Sequence, residues 1–292
     1  FYLIFMLYIL LSVMAKLPLA WLYILANSLA QCLFLFPSSF KKITRINLNL
    51  AYPALSQQAQ KSLLKCSLKS QCYTYIESVK CWGMPKAYSL SLIREVEGEA
   101  HLIHALNDPK GVILVVTHFG CWELLNAWVN QYTNAMIMYK PNKSKEVDRF
   151  ILKARQTCNA TLVATDKTGV AAVFKHLKQG GLTIILPDHL PKPSGGIYAK
   201  FFDQNVLCTT LVSKLAQKTQ ATVLGVSCIR QKTGFKIVCQ NMHPDILGQD
   251  LQRSVESLNH DMQYMINQAP EQYIWSYKRF RNCEGNYNPY QL

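Results

Sequence analysis

Apolar residues fill positions 1–36 except for a few polar breaks at Ser12, Lys16, Asn27, Ser28 and Gln31. A globular surface does not tolerate such a run. Residues 1–15 fall short of the roughly 20 apolar residues needed to cross a hydrocarbon core. The chain opens on Phe1 with no initiator methionine, however, which leaves room for residues upstream. The pattern predicts one membrane-inserted helix. Beyond Lys16 and Pro18 a second run places Asn27, Ser28 and Gln31 on one side of a helix, as an interfacial segment lying against the membrane or the domain would. A secretory signal fits poorly, because there is no basic n-region and no convincing small-residue cleavage site. Lys41, Lys42 and Arg45 follow, so the positive-inside rule puts the remainder in the cytoplasm.

From Ser56, a plausible N-cap, to residue 82 the apolar positions Leu63, Leu64, Leu68, Tyr75, Ile76 and Val79 recur at helical spacing. Beyond Pro85 the period changes. Short apolar runs at 111–117, 135–139, 161–164, 182–187, 222–229 and 235–239 read as strands. Helical stretches at 121–131, 145–157, 168–179 and 209–219 separate most of them, and a last helix lies near 250–268. Alternation of this kind predicts an α/β fold, a mostly parallel central sheet flanked by helices. The last two strands flank "RQKTG" and read as an antiparallel hairpin. No repeat, linker or low-complexity tract divides the rest, which gives an anchor over 1–36 and one domain over 37–292.

Half of the 292 residues are apolar, enough for a large core and against disorder. Thirty-one Lys and Arg oppose seventeen Asp and Glu, a formal charge of +14. That excess favours an anionic partner, whether nucleic acid, an acidic membrane or a phosphorylated substrate, and it does not choose among them. Ten cysteines are scattered from Cys32 to Cys283 with no C-x-x-C pair or zinc-type spacing. They read as reduced, mostly buried thiols.

The chemistry concentrates in "THFGCWELL", residues 117–125. In open α/β sheets, sites gather where loops leave the C-terminal ends of strands, and His118 sits at such an end. Residues five apart do not face each other on a continuous helix. Strand, turn and helix, eased by Gly120, would instead let Glu123 fold back to fix the His118 tautomer and stabilise its imidazolium. The plain alternative is a histidine at a strand end and a glutamate favoured in a first helical turn.

The surrounding blocks carry a resemblance. "RINLNLAYPALS" (45–56), "HFGCWE" (118–123), "MYKPN" (138–142), "LPDH" (186–189), "GGIYAKFF" (195–202), "TT" (209–210) and "PEQYIWSYKRF" (270–280) follow one another as in the late acyltransferases of lipid A biosynthesis, within the lysophospholipid acyltransferase family. The resemblance runs nearly end to end and implies a glycerolipid acyltransferase-like fold. It implies transfer of a fatty acyl chain from acyl carrier protein to a hydroxyl of an anionic lipid A precursor, at the cytoplasmic face of a Gram-negative inner membrane. His118 would be the general base and Glu123 its orienting carboxylate. No metal and no cofactor beyond the acyl-acyl carrier protein donor is implied. Lys140 and Arg155 are candidate anion contacts, and Asp188, at the end of a buried strand, is a candidate substrate-binding carboxylate. Plain alternatives are a solvated helix charge for Arg155 and a turn-opening role for Asp188. His189 reads as a neighbour, and Trp275 and Tyr277 as core or interface anchors.

Two positions depart from the family pattern. Lys140 stands where Arg is usual, which keeps the charge but loses the planar fork that grips phosphate at two points. Cys121 stands where Asn is common and reads as packing, not as a covalent nucleophile. The acceptor therefore stays open between a lipid A precursor and another lipid, such as a lysophospholipid or an amino-acid lipid. A non-catalytic basic membrane-binding protein is the reading from another class. Nucleic acid is disfavoured, since no RNP-type or helix-turn-helix signature is present.

Overall fold

A computed structural model describes residues 2–142 and 144–291 of the chain. The first two helices, α1 (Tyr2–Lys16) and α2 (Leu19–Leu35), correct the expectation of a single membrane-inserted helix. No helix among the described residues is long and apolar enough to cross a membrane by itself. The segments Leu7–Lys16 and Leu19–Leu35 reach that length together but are bent by 120°. Pro18 causes the break, because it donates no hydrogen bond and steers Leu17 away from helical torsions. The carbonyls freed at the bend are taken by Lys80, whose Nζ donates to the oxygens of Ala15 (2.6 Å) and Leu17 (2.9 Å).

Two further helices receive this pair. Helix α3 (Ser39–Ala51) is capped by the Ser38 hydroxyl and α4 (Gln57–Gly83) by that of Ser56, as the sequence predicts for the latter. Leu22, Ala26 and Ala30 of α2 pack on Cys72 and Ile76 of α4. Beside this apolar seam, polar bonds fix the angle: Tyr73 donates to Asn27 at 2.8 Å and Tyr23 to Glu77 at 2.6 Å. Asn27, on the polar side that the sequence assigns to an interfacial segment, is thus half-buried against α4.

A seven-stranded sheet follows, in the spatial order β1 (Ile93–Glu97), β9 (Phe235–Asn241), β8 (Thr222–Arg230), β2 (Val112–Val115), β5 (Leu182–Ile185), β3 (Met136–Tyr139), β4 (Thr161–Ala164). Every neighbouring pair is parallel except β8 with β9, the hairpin the sequence predicts. Side chains alternate along β2: Ile113 and Val115 enter one apolar cluster, Val112 and Leu114 the other. Helices α9 (Lys167–Lys178), α10 (Leu211–Thr219) and α11 (Leu251–Asn267) cover the first face. Helices α6 (Glu99–Leu106) and α7 (Trp122–Val129) cover the second. Helix α5 (Lys86–Ser91) precedes β1, and α8 (Lys145–Thr157) links β3 to β4.

All six predicted strands are present. Strand β1 was not predicted, since "IREVE" is a charged edge strand without a buried run. Nor was the separate hairpin β6 (Gly196–Phe201) and β7 (Gln204–Thr209), which turns through Phe202 and Asp203 at φ of 50° and 56°. A turn of that hand usually carries Asn or Gly, so its signal is weak in the sequence. All ten cysteines are free thiols, seven of them buried.

Candidate active site

Strands β2 and β5 lie side by side with Val115 opposite Ile185. His118 and Asp188 each stand three residues beyond that pair, so the parallel register brings them to the same end of the sheet. The His118 Nδ1 lies 2.9 Å from Asp188 Oδ1, and the His118 backbone N–H donates to Oδ2, also at 2.9 Å. Asp188 is fully buried. Burial alone would raise its carboxyl, but the adjacent His118 ring, the two bonds from His118 and the field of His189 outweigh it and hold Asp188 well below the usual carboxylate range. An ionised Asp188 fixes the proton of a neutral His118 on Nδ1 and leaves the Nε2 lone pair free to accept.

The main chain around His118 is held on every side. Gly120 donates to the Gln272 carbonyl (3.1 Å), Cys121 to that of Cys228 (2.9 Å) and Ile274 to that of His118 (3.0 Å). The Thr74 hydroxyl reaches the Gly120 oxygen at 3.2 Å. Gly120 has φ of 60°, and a Cβ there would lie 1.9 Å from the Cys228 oxygen, so this turn admits only glycine.

Glu123 does not fold back to the imidazole. Its Oε1 pairs with Arg155 Nη2 at 3.1 Å and its Oε2 accepts from Trp82 Nε1 at 2.9 Å. The neighbouring Trp122 is the side chain of α7 that reaches the His118 ring, edge to face at 5.2 Å. The orienting carboxylate of His118 is therefore Asp188, supplied by the adjacent strand, where the sequence suggested Glu123 from the next helix. Arg155 is committed to Glu123 and lies over the Tyr139 ring at 5.1 Å, so it is not a free anion contact. Lys140 follows β3 at the same end of the sheet and is exposed. Two strand spacings, about 10 Å, separate β3 from β2.

Two residues expected to be bystanders join the site. The His189 ring stacks on that of His118 at 3.7 Å and 3°, and Tyr277 stacks on the other face of His189 at 3.8 Å. Tyr277 in turn accepts the Leu190 N–H at 3.0 Å. The sequence hint was adjacency: His189 follows Asp188, and the block holding Tyr277 lines the His118 loop through Gln272 and Ile274. His118, Asp188 and His189 could in principle share a metal, as their donor atoms lie within 4.8 Å of one another. Their geometry argues otherwise, because parallel imidazoles send their in-plane lone pairs side by side and not to a common point. Trp275, 1% exposed, is core as expected. Cys121 is equally buried; its thiol faces Cys81 at 3.8 Å, and that contact with burial pushes it well above the ordinary thiol range. A thiol so placed stays protonated and is no nucleophile.

Burial and the nearby His118 push His189 down to about 4, against the pull of Asp188. A neutral His189 then stabilises the fold fully above its unfolded pKa of about 6.5, and that contribution fades as pH falls toward 4. Melting curves should show a loss on the order of 2–3 kcal/mol across that window. His189→Phe, which keeps the stack without the titration, should flatten the slope; an unchanged slope would assign it to other groups.

A basic imidazole aligned by a buried carboxylate at the C-terminal edge of a parallel sheet is equipped to take a proton from a bound nucleophile, as group-transfer and hydrolytic α/β enzymes do. Similarity across the chain narrows that class. The family model for bacterial lipid A biosynthesis acyltransferase matches residues 1–282, and the chain belongs to that family. It is an acyltransferase of lipid A biosynthesis. The chain is similar to the lipid A biosynthesis lauroyltransferase of Escherichia coli (strain K12), 23% identical over 269 residues, covering 91% of this chain and 87% of that one. It is 24% identical to the palmitoleoyltransferase of the same strain over 246 residues, 82% and 78% of the two chains. A lipid A biosynthesis acyltransferase of Haemophilus influenzae is 24% identical over 254 residues, 85% and 79%.

Proposed function

We propose that this acyltransferase takes a fatty acyl chain from the thioester of acyl carrier protein and passes it to a hydroxyl of a lipid A precursor. The observation that supports this most is the His118–Asp188 pair, with Nε2 left to accept a proton, in a chain of this family. The acceptor hydroxyl attacks the thioester carbonyl carbon as its proton moves to His118 Nε2. The tetrahedral intermediate then collapses, the C–S bond breaks, and the imidazolium returns the proton to the leaving thiolate. Asp188 carries no proton in this cycle; it holds the tautomer and stabilises the imidazolium. Both substrates are bound together, and no acyl group passes through Cys121.

Glu123 serves this reaction through Arg155. It tethers the guanidinium over Tyr139, next in sequence to Lys140, so that the paired Glu123 and Arg155 tie α7 and α8 to the wall of β3. Lys140, the exposed cation of that wall, meets a phosphate of the acceptor. Lys140→Ala should therefore raise KM for a phosphorylated acceptor by about tenfold, the worth of one charge-assisted contact, and leave a dephosphorylated acceptor nearly unaffected. Equal losses on both would remove Lys140 from the acceptor site.

Assay of the purified protein with a panel of acyl carrier protein thioesters and of lipid acceptors tests the whole reading. Transfer to a lysophospholipid with none to lipid A precursors would overturn it. The outward faces of α1 and α2 seat the protein at the inner membrane, with the sheet on the cytoplasmic side. Hydrophobic insertion is insensitive to screening, so the protein should stay in membranes through a high-salt wash. Release by salt alone would mean adhesion through the basic surface.

A further inference from the structure

A cavity of about 570 Å³ lies where the end of α2 meets α3 and the first turns of α4. Its walls follow helical spacing. Lys41, Arg45, Leu48 and Asn49 share one face of α3, and Gln57, Gln60, Lys61 and Leu64 share one face of α4. Phe34 and Leu35 close it from α2. It is separate from the His118 loop: Leu64 precedes Thr74, the contact of Gly120, by ten residues of helix, about 15 Å.

Three cations line this cavity and no carboxylate does. Arg45 and Lys61 are in no ion pair among the described residues. Lys41 donates to the Phe34 carbonyl and stands over the Phe34 ring at 5.3 Å, which leaves it two further N–H donors. Lys65 approaches the same ring at 5.9 Å. Like charges gathered without counter-charge repel one another, a cost that an anion between them removes. Leu48 and Leu64 provide a buried apolar floor. The lining residue Leu35, 71% exposed, adjoins Phe36, 65% exposed, and with it continues the outward stripe of Trp21, Leu25 and Leu29 on α2. A ligand that suits both halves carries a negative head beside an apolar tail.

We propose that this cavity binds the headgroup of an anionic membrane phospholipid, whose acyl chains lie along the exposed face of α2. The site fixes how the domain sits on the bilayer and is not part of the acceptor site. Charge complementarity and the continuity of the apolar mouth with α2 select a lipid over a soluble phosphate.

The test uses the full chain purified in detergent, with bound lipid counted by native mass spectrometry. Dioleoyl phosphatidylglycerol should be retained as one molecule per protein in preference to dioleoyl phosphatidylcholine. Arg45→Gln with Lys61→Gln should weaken retention by about tenfold or more. Asn49→Trp, which fills the exposed mouth without changing charge, should do the same. All three side chains are exposed, so folding is not at stake. Equal retention of the two lipids, or unchanged retention by the variants, would overturn the proposal. So would displacement of the lipid by millimolar glycerol 3-phosphate, the mark of a free-phosphate site. A raised KM for the lipid A precursor in the Arg45/Lys61 variant would merge the cavity with the acceptor site and overturn its separate assignment.

Discussion

His118→Ala should lower acyl transfer by about 10²- to 10⁴-fold, the usual contribution of a positioned general base, while the protein stays folded. The ring packs against His189 and Trp122 and not in either apolar cluster, so the core stays intact, but removing Nδ1 takes the side-chain partner from the buried Asp188 carboxylate and should cost about 1–3 kcal/mol of stability without unfolding the protein. Asp188→Asn should cost nearly as much for a different reason. The amide oxygen would accept from the His118 backbone and the amide nitrogen would donate to Nδ1, which forces the imidazole proton onto Nε2. An Nε2–H cannot accept the hydroxyl proton. Turnover measured with saturating thioester, with thermal melting as the fold control, checks both. Near wild-type rates in folded His118→Ala would remove the histidine from the proton path.

Much of this arrangement is legible in the sequence because it is written in local period. The buried strands β2 and β5 read as apolar runs, and the C-terminal ends of both carry the polar residues that the α/β layout makes functional. What the sequence does not carry is the neighbour relation between strands. Spatial order places β5 next to β2, so Asp188 meets the His118 ring, while α7 offers it Trp122 and turns Glu123 toward Arg155. Equal offsets of His118 and Asp188 from their strands were the available clue. The stack of His189 and Tyr277 is harder to foresee, since it joins residues 88 apart through a loop without regular period. Composition likewise sets residues 1–36 apart as an apolar run but cannot see Lys80, sixty-odd residues on, taking the carbonyls where the run folds back at Pro18.

Glu77→Ala should be the most destabilising single change on α4, by about 3–5 kcal/mol, because it leaves a buried cation without its counter-charge. Glu77 is 2% exposed and takes Arg230 through both Nε and Nη2, while Ser70 and Thr74 hold the rest of the guanidinium at 2.8 Å. The two hydroxyls satisfy donors but not charge. Loss of stability should come with loss of order at both ends of the network. Tyr23 of α2 donates to Glu77, and Thr74, which binds Arg230, also holds Gly120 beside the site. A melting temperature lower by roughly 10 °C is expected, together with weaker turnover. The double change Glu77→Leu with Arg230→Met separates charge from packing, since it removes both partners. Arg230 meets Gln272 only through its main chain, so the His118 loop keeps that support in the double variant. Much of the stability should then return, as it does when buried ion pairs give way to apolar side chains of similar size. A double variant no more stable than Glu77→Ala would mean that the hydrogen bonds of the network, and not the uncompensated charge, set the cost.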